Sequence, residues 1–275
     1  MKSSQAIAKL IDLLPHLFGT AVAPKKTGLL IAFLSAKGGT GTSSLCANLA
    51  MCLGNRKLET RIAVMDLVLP IGSIANIVGY NEAINLIAVA GQDSQPRSSA
   101  FYRESLPRIP NWYLNLLAGS PDPAAANRIS FDRIEDIVVR MQESYDFVFV
   151  DLGRSLSRIS LPVIHRANLI ALILSTDLAA VALTHTVYEY LKSQGVDPRR
   201  IYPILNRAVG LEGMTKAEAE QVLGVQIRVT MPYMGGNFTL ANNRHEPVAI
   251  KFPNDTFTLA LNEVVTELAD TAQKL

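Results

Sequence analysis

The feature that most limits what this chain can fold into is a glycine-rich turn, Lys37-Gly38-Gly39-Thr40-Gly41-Thr42-Ser43-Ser44. It lies between an aliphatic run, Leu29 to Leu34, and a helical pattern from Ser43 to Leu53. Glycines at 38, 39 and 41 let the backbone fold back with its N–H groups pointing inward. The following helix adds its unsatisfied first amides and the positive end of its dipole, so the turn forms an anion cradle with phosphate as the expected guest. Strand, glycine loop and helix in that order are the setting of a phosphate-binding loop, or P-loop. The lysine that a general P-loop carries just before Ser43 is here Thr42.

Such a loop belongs on a parallel sheet, and the rest of the sequence supplies one. Short apolar runs of strand length alternate with longer stretches of helical period. Strands are expected at Leu29 to Leu34, Arg61 to Asp66, Trp112 to Leu117, Asp146 to Asp151, Leu169 to Ser175, Ile201 to Asn206 and Gln226 to Thr230. Helices are expected at Ser43 to Leu53, Phe131 to Glu143, Ala179 to Gln194, Lys216 to Leu223, Asn237 to Arg244 and Thr256 to Thr271. Most strands are apolar throughout, as when both faces are covered by helices. The fold class is therefore α/β, three layers, with a mostly parallel central sheet and helices on both faces. The polar stretch from Gly91 to Arg108 is expected to be locally disordered.

Composition narrows the partners. Lys and Arg number 26 against 24 Asp and Glu, a net charge of +2 that gives no global attraction to nucleic acid or anionic lipid. Cys46 and Cys52 are too few and too close to staple a secreted domain, which points to a reducing, cytoplasmic setting. No apolar run reaches the roughly 18 residues of a membrane span. Residues 1–27 read as an extension outside the main domain, 28–275. Within that extension Gln5 to Phe18 are expected to form an amphipathic helix, broken or kinked near Pro15, that packs on the domain or serves as a docking element or peripheral membrane contact through residues 5–18. Lys9 and Asp12 interrupt its apolar stretch and argue against a signal peptide.

Lys37-Gly38-Gly39-Thr40-Gly41 followed by a hydroxyl pair resembles the deviant Walker A motif of the ParA/MinD family of P-loop ATPases, in which a signature lysine precedes the glycines. Val64 to Gly72 is similar to that family's switch I, and Phe147 to Arg154 to its Walker B strand and switch II. Pro203-Ile204-Leu205-Asn206-Arg207 and Met231-Pro232 are similar to the segments that flank adenine. Leu69-Pro70-Ile71-Gly72, Gly119-Ser120-Pro121-Asp122-Pro123, Leu205-Asn206-Arg207 and the terminal helix after Lys251-Phe252-Pro253 look most like the CpaE/TadZ branch, which localises Tad pilus machinery. That branch often carries an amino-terminal receiver-like domain, which is expected to be missing here, with about 27 residues ahead of the nucleotide domain.

The resemblance implies a P-loop NTPase fold, ATP and Mg²⁺ as cofactors, and a homodimer bridged by ATP that works with a pilus or polar assembly protein. Ser43 would bind Mg²⁺, with Asp66 and Asp151 holding its water shell, and Ser44 would touch the α-phosphate. Gly38, Gly39, Thr40, Gly41 and Thr42 would wrap the phosphates. Lys37 would reach across the dimer to the partner's phosphates. Asn206 would hydrogen-bond adenine, with Arg207 and Pro232 shaping its pocket.

Two departures from the family pattern bear on activity. Thr42 removes a charge-assisted contact worth roughly 1.5–3 kcal/mol, so ATP binding is weakened without being abolished. The switch I aspartate that orients the attacking water falls at Val68, and valine can neither orient nor deprotonate water. Slow or absent hydrolysis is therefore expected. Two alternatives stay open: a nucleotide-independent scaffold, and a DNA-segregation ATPase, which the scattered Arg199, Arg200, Arg228 and Arg244 argue against. His16, His165, His185 and His245 show no metal-ligand spacing.

Overall fold

The computed structural model describes residues 27–91, 95–208 and 213–275. The helix expected over Gln5 to Phe18 lies outside these residues. In chain order the elements are β1 (Leu29–Ser35), α1 (Thr42–Arg56), β2 (Ile62–Asp66), α2 (Ile74–Val78), α3 (Leu86–Ala90), α4 (Ser99–Ser105), β3 (Arg108–Ile109), β4 (Leu114–Leu117), α5 (Pro123–Ala126), α6 (Phe131–Ser144), β5 (Phe147–Asp151) and α7 (Ser160–Arg166). They continue with β6 (Leu169–Ser175), α8 (Leu178–Ser193), a 3₁₀ turn (Pro198–Arg200), β7 (Ile201–Ala208), α9 (Lys216–Leu223), β8 (Val229–Pro232), α10 (Gly236–Asn243), α11 (Val248–Lys251) and α12 (Thr256–Lys274).

The strands form one eight-stranded sheet in the order β3-β4-β2-β5-β1-β6-β7-β8. All pairings are parallel except the short β3–β4 edge. From β1 the chain first crosses to β2 on one side and later builds β6, β7 and β8 on the other. The carboxyl end of β1 is therefore a topological switch point, the position where open α/β sheets bind ligands.

β1 shows why its sequence does not alternate. Leu30, Ala32 and Leu34 enter a core with Ile134, Val138 and Met141 of α6, while Ile31 and Phe33 enter one with Leu45, Leu49 and Leu53 of α1 and Leu261 and Val265 of α12. Both faces are covered, giving the three layers. α1 is itself buried from Leu45 through Gly54, which places free Cys46 and Cys52 in the core, where burial raises both thiols' pKa.

Element boundaries differ from expectation where the backbone turns early. The fourth sheet strand starts at Leu114, not Trp112, because Asn111 and Tyr113 have left-handed φ of 64° and 52° that no strand accommodates. The stretch from Gly91 to Arg108, expected to be disordered, contains α4. The Ser98 hydroxyl caps α4 by accepting from Phe101 N–H, and Tyr102 is buried against α6, its carbonyl accepting from the Tyr145 hydroxyl. Polar residues at 92–98 mark only the connector to that helix, and 92–94 lie outside the described residues. Among the described residues no helix is long and apolar enough to cross a membrane.

Candidate nucleotide site

The glycine loop occupies the switch point. Gly41, with φ of 87°, caps the amino end of α1 and lets that helix start at Thr42 with its first amides turned to the loop. A side chain at Gly41 would strike Asn206 Nδ2 at 2.6 Å, so the position requires glycine for space as well as for φ. Asn206 Nδ2 donates to Thr40 O at 2.7 Å, tying the loop to the end of β7. The hydroxyls of Thr40 and Thr42 are hydrogen-bonded at 3.0 Å, so Thr42 points into the loop's own structure. A cleft of about 370 Å³ opens above the loop, lined by residues 38–44 together with Val68, Gly153, Arg154 and Arg207.

Beneath it lie two buried carboxylates. Asp66 and Asp151 end adjacent parallel strands and are direct register partners. Asp66 is held by three backbone donors: Val68 N–H on Oδ1, Ser73 and Ile74 N–H on Oδ2, at 3.0, 2.8 and 2.9 Å. Asp151 accepts from Gly153 N–H on Oδ1 at 2.9 Å, and among the described residues its buried Oδ2 has no partner within hydrogen-bond distance. Burial is the main cause raising the pKa of both; the Ile74, Val68 and Ser73 amides oppose the rise at Asp66, and at Asp151 the Asp66 charge adds to it while hydrogen bonds from Ser43 and Gly153 act against it. An orphaned buried carboxylate oxygen beside a second carboxylate is a place that a divalent cation fits, because the cation would supply the missing partner and let both groups ionise.

Two glycines hold the first carboxylate in place. Gly72 and Gly119 approach so closely that a Cβ on either would lie 2.6 Å from the other's Cα and within 3.0 Å of Asp66 Oδ2. Gly119→Ala is therefore expected to cost about 1–3 kcal/mol of stability, read by chemical denaturation, because two backbones and a hydrogen-bonded carboxylate must all shift. A loss below about 0.5 kcal/mol would show that the contact relaxes freely.

The other expected residues are distributed around the loop. A cavity of about 160 Å³ on the β7–β8 side is lined by Asn206, Arg207, Pro232, Tyr233, Phe238 and Phe257, among others. Asn206 contributes a buried, unpartnered Oδ1. Its amide orientation is fixed because Nδ2 must face the Thr40 carbonyl, so the free atom is an acceptor. Lys37 is in neither place. Its Nζ bonds Asp177 Oδ1 of the same chain at 2.6 Å, and this contact, first among several, lowers the Asp177 pKa to about 2.

Three contacts had no sequence signal. Asp177 caps α8 through Ala180 N–H as well as holding Lys37. Asn242 Nδ2 donates to Ser44 Oγ at 3.2 Å, and Asn48 Oδ1 accepts from Val248 N–H, fastening α10 and α11 to the helix behind the loop. The Lys37–Asp177, Ser44–Asn242 and Asn48–Val248 contacts each pair residues from distant chain positions, which no local motif reveals. Of the other residues weighed, Arg199 is ion-paired with Asp197, and Arg200 donates to the Ile164 and His165 carbonyls. His185 and His245 each meet a backbone carbonyl.

No protein-family model matches the chain. A protein described as a septum site-determining protein MinD from Emiliania huxleyi is 20% identical over 232 residues, which is 80% of this chain and 80% of that protein. Among solved structures, a ParA family ATPase from Chlorobium tepidum superposes with a TM-score of 0.79 at 21% identity, covering 88% of this chain and all of that one. The septum site-determining protein MinD from Pyrococcus horikoshii, solved with Mg-ADP, gives 0.75 at 20% identity over 90% of this chain and 100% of its own. The chain has the α/β fold, with a mostly parallel sheet, of the ParA/MinD P-loop ATPases.

Proposed function

We propose that this ParA/MinD-type fold is an ATP-binding positional switch of the ParA/MinD family, dimerising around ATP·Mg²⁺ and hydrolysing it slowly or not at all. The observation that carries the reading is the orphaned Asp151 Oδ2, buried beside Asp66 below a glycine cradle at the sheet's switch point. Mg²⁺ held near Ser43, Asp66 and Asp151 would neutralise the phosphates and stabilise the developing charge. The acceptor Oδ1 of Asn206 matches the exocyclic amine of adenine and opposes the carbonyl of guanine, so ATP should be preferred over GTP. Residues 28–275 are the nucleotide domain in this reading, and 1–27 the appended segment.

Dimerisation would draw on Lys37. Its bond to Asp177 joins side chains 44% and 45% exposed, so it stabilises by at most about 1 kcal/mol and yields readily to a triphosphate from a second copy. Asp177→Asn keeps a residue that caps α8 well but removes the charge that holds the lysine. The variant is expected to tighten ATP-dependent self-association up to about fivefold by sedimentation velocity, with the melting temperature of the ligand-free chain lowered by no more than about 4 °C. Weaker association would place Asp177 in the interface itself.

Within the family the motifs fit the CpaE/TadZ branch, with a pilus or polar assembly protein as partner and the cytoplasm as its setting. Isothermal titration with ATP, with and without Mg²⁺, combined with light scattering, tests the core of the proposal. Magnesium-dependent binding and a doubling of mass are expected. No binding and an unchanged mass would leave the nucleotide-independent scaffold instead.

A further inference from the structure

Replacing the general P-loop lysine by Thr42 leaves a triphosphate without a cation at that position, and the Thr42 hydroxyl is already bonded to Thr40. Lys37, the other loop cation, is occupied by Asp177 and lines a separate cleft. The cleft above the loop nevertheless has two cationic walls, Arg154 and Arg207. Arg207 differs from Arg154 in reach: it lines the cleft above the loop, the cavity beside Asn206 and the cleft holding Lys37.

The backbone explains that reach. β7 and β8 pair at Leu205↔Thr230 and again at Ala208↔Pro232, so Asn206 and Arg207 together oppose the single residue Met231. In a regular strand consecutive side chains point to opposite faces. The extra residue, with Arg207 at a left-handed φ of 60° that a side chain of its size rarely adopts, turns both toward the loop side. Arg207 is exposed and makes no ion pair among the described residues. Its planar guanidinium can take two phosphate oxygens at once.

We propose that Arg207 supplies from β7 the cation that position 42 lacks, gripping the β- and γ-phosphates of bound ATP rather than only shaping the base pocket. This rests on the nucleotide-binding reading above. The test uses the purified full chain and competition against a fluorescent ATP analogue, with two probes: ATP·Mg²⁺, and inorganic triphosphate with Mg²⁺, which has no base.

Arg207→Ala is expected to weaken both probes at least tenfold at an unchanged melting temperature, and Arg207→Lys to lose less. Thr42→Lys placed in the Arg207→Ala chain is expected to recover both, since a lysine from the loop would do the same work. Arg154→Ala, which removes the other cationic wall of the cleft, is expected to weaken both probes less than Arg207→Ala does. Loss of ATP binding with triphosphate binding intact would assign Arg207 to the base and overturn the proposal. So would the larger loss falling on Arg154→Ala, or failure of Thr42→Lys to rescue a folded protein. If the unaltered chain binds neither probe, the nucleotide-binding reading itself fails. Normal ATP binding by Arg207→Ala would remove only the role given to Arg207.

Discussion

Asp151→Asn is expected to stabilise the ligand-free chain while abolishing most of its Mg²⁺-dependent affinity for ATP. Asp151 sits in the core with one oxygen unpartnered and the Asp66 carboxylate beside it, so its ionised form is costly there. Its pKa is raised from the model-peptide range to about 7, by burial first and by Asp66 second. A carboxylate whose folded pKa exceeds its unfolded one binds more protons in the folded state, so stability falls as pH rises between the two values. The ligand-free chain should therefore lose stability from about pH 4 to about pH 7, and the asparagine variant should lose less.

At pH 8 the variant should gain about 1–3 kcal/mol over the unaltered chain in urea unfolding, a gain that vanishes near pH 4. Saturating Mg²⁺ with ATP should reverse the order, because the cation converts the isolated charge from a burden into a ligand. Calorimetric titration should show at least tenfold weaker ATP·Mg²⁺ binding by the variant and little change in binding without magnesium. An asparagine variant less stable than the original at pH 8 would mean that Asp151 is already satisfied in the folded protein.

Much of this site was legible before the structure because its chemistry is local in sequence. The cradle needs three glycines within four positions and a helix directly after them, and residues 38–44 carry all of that. β1 was readable because burial on both faces removes alternation, leaving an unbroken aliphatic run. Asp66 and Asp151 stood out because each is a charge closing such a run.

What was not legible depends on pairing across distance. Lys37 was assigned a partner in another copy, yet within one chain it meets Asp177, whose own sequence setting shows only a helix cap. The close approach of Gly72 to Gly119 joins two turns that carry no mark of each other. α4 was hidden by the polar connector before it, although Phe101, Tyr102 and the Ser98 cap are an ordinary helix start. For Lys37 and for the two glycines tertiary contact decided the outcome, and local pattern could not contain it.

Val68→Asp is expected to raise ATP turnover about a hundredfold or more, the usual contribution of a positioned general base or water-orienting group. Val68 lines the cleft above the loop, and its side chain faces Gly153. Its amide is bonded to Asp66 Oδ1, so the backbone at this position is already held. Aspartate is close to valine in size, and the exchange should need little repacking. The new carboxylate would open onto the space a γ-phosphate and its attacking water would occupy. It would also be a third acid near Asp66 and Asp151, so the ligand-free variant should be less stable than the original and recover when Mg²⁺ and ATP bind. Single-turnover phosphate release at saturating ATP separates this from a change in affinity. Lys37→Ala in the same background should return the rate to that of the unaltered chain. Equal ATP binding with no faster release would show that position 68 does not limit hydrolysis. Rapid release by the unaltered chain, lost in Lys37→Ala, would show that this protein orients its water by another group.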